Sequence, residues 1–160
     1  MRKVVSNTTP FISLLKVGKL GILKELYQEI FIPYEVYLEI EAGKNKEYYT
    51  DLTKVEWIRI VKIQSEKSLL FFLDLDKGEA EAIVLANEMN ADLIILDETL
   101  GRFHAKHIGL NVTGTIGILL KAKENGIIDK IKPILNKLLQ NGIWLSEKLI
   151  SQTLTIASEA

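Results

Sequence analysis

Four positions carry side chains suited to holding a hard cation: Asn7, Glu39, Glu79 and Asp97. Asp97 closes the apolar run Asp92-Leu93-Ile94-Ile95-Leu96, where it could serve simply as the cap of a following helix. Glu79 falls in the first turn of an Ala-rich helical stretch, where an acid meets the positive end of the macrodipole. By three-and-four spacing it also shares the face of Ala82, Ile83 and Ala86. Glu39 repeats the pattern, three residues after Val36 and next to Ile40. An acid aligned with an apolar stripe tends inward rather than to solvent. Carboxylates brought together repel and raise one another's pKa unless a cation compensates. A divalent ion held there would polarise a phosphodiester and lower the pKa of an attacking water.

Composition narrows the cation and the compartment. There is no cysteine and there are two histidines, so a metal must be held chiefly by oxygen, which favours Mg²⁺ or Mn²⁺ over zinc. Formal net charge is -1, from 20 Lys+Arg against 21 Asp+Glu, which excludes a protein that coats nucleic acid by bulk charge. A local basic rim is still available: Arg102, His104 and Lys106, with His107 beside them, are candidate phosphate-binding residues, against the plainer reading of a solvated helix face. No Gly-x-x-x-x-Gly-Lys-Ser/Thr loop is present, and Asn7-Thr8-Thr9 stands where a haloacid-type phosphatase needs Asp-x-Asp. The opening Met1-Arg2-Lys3-Val4-Val5 turns polar too soon for a signal-peptide core, and no apolar run approaches membrane-spanning length, so a cytoplasmic protein without membrane contact is expected.

The elements that must position these residues alternate. Short strands are expected at Lys3 to Ser6, Phe31-Ile32, Val55 to Ile63, Asp92 to Leu96 and Asn111 to Thr113. Helices are expected from Thr9-Pro10, with Thr9 as cap and a break near Gly18 and Gly21, and from Pro33 through about Glu41. Further helices run over Lys77 to Met89, Glu98 to Ile108, Thr115 to Asn125, about Lys130 to Gln140, and Ser146 to Ser158 with Ser146 as cap. Five strands alternating with helices imply an α/β fold with a mainly parallel five-stranded sheet covered by helices on both faces. Sites in such sheets gather at the carboxyl ends of the strands, where Asn7 and Asp97 both fall. With 160 residues and 48% hydrophobic content, one domain is expected.

Several of these segments together resemble PIN domains. Val4-Val5-Ser6-Asn7-Thr8-Thr9-Pro10, Ile32 to Glu39, Asp76-Lys77-Gly78-Glu79-Ala80-Glu81-Ala82-Ile83, Leu93 to Asp97 and Val112-Thr113-Gly114-Thr115 occur in the order and approximate spacing of that family. The likeness is closest to the VapC-like branch of toxin ribonucleases. It implies a single PIN-like domain over residues 1–160, with a core at about 3–125 and C-terminal helices at about 126–158. It also implies a metal-dependent endoribonuclease using Mg²⁺ or Mn²⁺, often a homodimer and often silenced by a small antitoxin protein. The family site carried onto this chain is Asn7, Glu39, Glu79 and Asp97 as metal-binding and catalytic positions, with Thr113 close by and Glu98 as an additional acid. Asn7 stands where the family usually has aspartate; its carbonyl can coordinate a hard cation but brings no charge. That departure keeps open a second function, a catalytically weakened PIN-like domain that binds RNA or protein. A receiver-type signalling domain, with Asp97 as phosphoacceptor near Thr113, lacks the acidic pair expected after the first strand.

Overall fold

The central strands of the sheet are buried on both faces, which explains why their sequences lack polar alternation. The computed structural model describes residues 2–160. β1 (Val4–Ser6), β2 (Ile30–Pro33), β3 (Ile58–Val61), β4 (Leu93–Ile95) and β5 (Val112–Thr113) form one sheet in the order β3-β2-β1-β4-β5. Every neighbouring pair is parallel, with Val5 opposite Phe31 and Ile94, and Ile95 opposite Thr113. Successive side chains point to opposite faces. Val4, Ile30, Ile32 and Ile95 therefore enter one core, and Val5, Ile94 and Leu96 enter the other.

The helices divide between these cores. α1 (Thr8–Lys16), α2 (Gly21–Tyr27), α3 (Tyr34–Glu41), α6 (Thr115–Glu124) and α7 (Lys132–Gln140) cover the first face through Phe11, Leu14, Leu23, Val36, Ile118, Leu119 and Leu138. α8 (Glu147–Ile156) adds partly buried Ile150 and Leu154 to the same side. α4 (Lys77–Glu88) and α5 (Thr99–His107) cover the second through Ala82, Ile83, Ala86 and Ala105. The expected α/β architecture with helices on both faces is present, and the sheet is wholly parallel. Among the described residues no helix is long and apolar enough to cross a membrane.

Local starts and stops differ from expectation in two places. α1 begins at Thr8 with Asn7 as its N-cap residue, not Thr9. The Asn7 N–H donates to the Ile95 carbonyl at 3.0 Å, so sheet bonding runs one residue past β1 and the chain turns into helix immediately after. The strand expected over Val55 to Ile63 is confined to Ile58–Val61. A 3₁₀ turn at Leu52–Lys54, capped by Asp51 accepting from the Thr53 N–H at 3.1 Å, precedes it, and a second 3₁₀ segment at Glu66–Phe72 leads towards α4. Gly18 breaks α1 from α2 with φ +68, a conformation that suits glycine. Ser146 caps α8 by accepting from the Leu149 N–H at 3.1 Å.

The C-terminus is tied down by one carboxylate. Glu159 accepts from the Ile131 N–H at 2.8 Å, the Lys132 N–H at 3.0 Å and the Lys123 ammonium at 2.9 Å. Burial alone would push its pKa up, but these donors outweigh it and hold the carboxyl at about 2. A depressed pKa stabilises the fold above the unfolded value and is lost as pH falls through the folded one. Glu159→Gln is expected to lower Tm by a few degrees at neutral pH and to remove the part of the acid destabilisation lying between pH 4.5 and about 2. Thermal melts of both proteins across that window check it.

Candidate active site

β1 and β4 are neighbours in the sheet, yet the chain leaves β1 towards β2 on one side and β4 towards β5 on the other. Connections diverging in this way leave a crevice at the carboxyl ends of the two strands. Asn7 follows β1 directly and Asp97 lies two residues beyond β4. Asn7 is only 2% exposed, and its Oδ1 has no hydrogen-bond partner.

Three carboxylates approach this end of the sheet, each set against a glycine. Glu39, on α3, accepts a hydrogen bond from the Thr8 hydroxyl at the start of α1. A methyl group on Gly78 would stand 2.5 to 2.8 Å from its carboxylate atoms. Glu79, in the first turn of α4, is 6% exposed, and its Oε2 is buried without a partner. A methyl on Gly101 of α5 would come within 2.7 Å of that oxygen. Asp97 accepts from both the Thr115 N–H and the Thr115 hydroxyl at 2.7 Å, so it closes the first turn of α6 rather than that of α5. Gly114 leaves the space that Asp97 Oδ1 and Arg102 Nη1 share, 2.6 and 2.9 Å from where its Cβ would be. The same Arg102 nitrogen donates to the Leu96 carbonyl at 2.9 Å. Arg102 thus fixes the strand end beside Asp97.

Glu39 and Glu79 feel neighbouring acids. Burial first, then the Asp76 hydrogen bond and the charges of Asp76, Glu98 and Glu39, push Glu79 up to about 8. Burial also raises Glu39, reinforced by Asp76 and Glu35 and opposed by the Thr8 hydroxyl. Asp76 is the N-cap of α4, accepting from the Glu79 N–H at 2.8 Å, so one backbone device places two acids together. Glu98 joins the same field through its effect on Glu79.

The other expected residues lie elsewhere. The Thr113 hydroxyl is turned against Gly117, and Thr115 is the hydroxyl that reaches Asp97. His104 pairs with Asp74 at 2.9 Å and sits edge-on to Phe72, lining the cavity between α4, α5 and the 66–72 segment together with His107. Lys106 is exposed on α5. Thr8, Asp76, Gly78, Gly101, Gly114 and Thr115 were not expected at the site. A signal existed for Asp76, which stands three residues before Glu79 as an N-cap does before N3. Contact between a glycine and an acid some twenty to forty residues away has no local signal.

Among the described residues no three histidine, aspartate or glutamate side chains form a ready-made metal cage. The donors nevertheless suit Mg²⁺ or Mn²⁺. All are oxygens, two of them (Asn7 Oδ1 and Glu79 Oε2) are buried and unpartnered, and Mg²⁺ is commonly held by one or two carboxylates with water and substrate phosphate completing the shell. An uncompensated buried oxygen is costly, and a cation is the partner that also relieves the acids' repulsion.

A family model described as a PIN domain matches residues 3–159. No curated protein matches the chain.

Two outcomes follow from this geometry. Gly78→Ala places a methyl against the Glu39 carboxylate, which can swing aside, while alanine favours the helix by about 1 kcal/mol. Its Tm is expected to stay level or rise while Mn²⁺ affinity, read by calorimetry, falls by about tenfold to a hundredfold. The second concerns pH. A carboxyl raised to about 8 keeps its proton in the folded state while the unfolded state loses it above about 4.5, so in chelator stability falls between those pH values and levels off beyond. Glu79→Gln should flatten that slope in denaturant titrations run at a series of pH values.

Proposed function

This chain belongs to the PIN-domain family, and from that premise we propose that it is a metal-dependent endoribonuclease of the VapC-like branch, the toxin of a type II toxin and antitoxin pair. PIN domains are generally nucleases that use divalent metal ions. The observation that carries the finer reading is the pair of buried, unpartnered oxygens, Asn7 Oδ1 and Glu79 Oε2, beside Glu39 and Asp97 at the carboxyl ends of β1 and β4.

In this reading Asn7, Glu39, Glu79 and Asp97 hold Mg²⁺ or Mn²⁺. The ion, when bound, supplies Lewis acidity to the scissile phosphodiester and lowers the pKa of the attacking water. The chain's own residues do the positioning. Thr115 fixes both oxygens of Asp97, and Thr8 fixes one oxygen of Glu39, so two acids are held in place before any ligand arrives. Glu79 holds a proton at neutral pH until positive charge displaces it. Arg102, beside Asp97, is the residue of the α5 rim that this reading assigns to a phosphate. A small antitoxin and a second copy of the chain are the proposed partners; exposed Leu70, Phe71, Leu73 and Phe103 supply apolar surface for such contacts.

Asn7 favours a second reading, a PIN-like domain that binds RNA or protein without useful cleavage, because a neutral amide stands among the acids. One experiment separates the two. A mixed RNA pool is incubated with the native protein, Asn7→Asp and Glu79→Gln, in Mn²⁺ and in chelator. The nuclease reading expects cleavage in Mn²⁺ alone, loss of about tenfold or more in Glu79→Gln, and faster cleavage with tighter Mn²⁺ binding in Asn7→Asp, since a full charge is added where the dielectric is low. Equal, metal-independent behaviour of all three proteins would overturn it in favour of the binding domain.

A further inference from the structure

The acidic cleft repels the strand it is proposed to cut, so a basic surface must hold that strand beside it. The α5 residues expected to do so are partly diverted: His104 is paired with Asp74. The opposite side of the cleft carries an alternative that arises from strand register. Pro33 of β2 pairs with Val61 of β3, so the residues that follow, Tyr34 and Lys62, emerge side by side at the carboxyl edge of the sheet. The Lys62 ammonium lies 4.9 Å from the centroid of the Tyr34 ring, which is 37% exposed. The Tyr37 ring lies 5.9 Å away, tilted by 37°. Next to Tyr34, Glu35 meets the Lys77 ammonium at 3.5 Å, and Lys77 precedes Gly78, the residue against which Glu39 rests. The Lys62–Tyr34 pair thus stands at the start of α3, the helix that carries Glu39.

We propose that Tyr34 and Lys62, at the carboxyl edge of the sheet on the α3 side of the site, form a binding step for an unpaired RNA strand, a base taking the place of the Lys62 ammonium over the tyrosine ring and the displaced ammonium turning to a flanking phosphate. Aromatic rings beside cations are the chemistry that holds single strands without reading sequence, because every base has a face to stack and every residue a phosphate. A duplex hides its base faces and gains little from such a step. The inference rests on the nuclease reading for its choice of RNA as ligand, but binding can be measured without cleavage.

The test is fluorescence anisotropy of a labelled single-stranded RNA oligonucleotide in chelator, with native protein, Lys62→Ala, Tyr34→Ala, Tyr34→Phe, and Lys137→Ala on α7 as a surface control. Native protein should bind the single strand more tightly than the matching duplex. Tyr34→Ala should weaken binding about fivefold or more and Tyr34→Phe should restore it. Lys62→Ala should weaken binding and lower the slope of log affinity against log salt by about one. Lys137→Ala should match the native protein. Single-strand affinity unchanged in both Tyr34→Ala and Lys62→Ala, or a preference for duplex, overturns the proposal even if Mn²⁺-dependent cleavage is found. Loss of binding in both variants supports it even if no cleavage occurs, in which case only the nuclease reading falls.

Discussion

Negative charge that the fold places out of water, with too little positive charge to match it, is the constraint on which the rest of this structure depends. A wholly parallel sheet directs the ends of β1 and β4 into one crevice; Asp97 follows β4, and α3 and α4 bring Glu39 and Glu79 to the same end. The chain compensates by partial means. Thr8 and Thr115 lend hydroxyls and a backbone N–H, and Arg102 stands beside Asp97. Glu79 keeps a proton towards Asp76, and its Oε2 is left without a partner. A buried acid in a crevice whose pKa is raised by burial and by like charges is a functional-site candidate, and here family membership points the same way.

Space around the acids is created by absence of side chains. Gly78, Gly101 and Gly114 each lie where a methyl group would stand within 3 Å of a carboxylate oxygen, so the helices can approach closely enough for the acids to feel one another. Contrast Glu81, two residues beyond Glu79 on α4 and equally buried, which accepts from the Glu35 N–H at 3.2 Å at the start of α3. Glu81 has a backbone partner and holds α3 against α4. Two acids of one type, in one helix, thus differ in whether the fold satisfies them.

Much of this was legible in the sequence because it depends on local rules. Continuous apolar runs such as Leu93 to Leu96, helix starts such as Ser146, and breaks such as Gly18 act within a few residues, and they predict the order of elements and the parallel sheet correctly. The inward tilt of Glu39 and Glu79 followed from their alignment with Val36 and with Ala82 and Ile83. What was not legible depends on pairings between distant segments. Asp97 could have capped the helix next to it, but Thr115, eighteen residues on, takes both its oxygens. The side-by-side emergence of Tyr34 and Lys62 is a property of β2–β3 register, which neither strand encodes alone.

The proposed site is a set of acids awaiting a cation, and proton release on metal binding tests this most directly. Titration calorimetry of Mn²⁺ into the protein at pH 7, in two buffers of different ionisation enthalpy, counts the protons set free. With Glu79 raised to about 8 before metal arrives, the account predicts release of about one proton per ion bound, and almost none in Glu79→Gln. Binding without proton release, or no binding by the native chain at millimolar Mn²⁺, would contradict it.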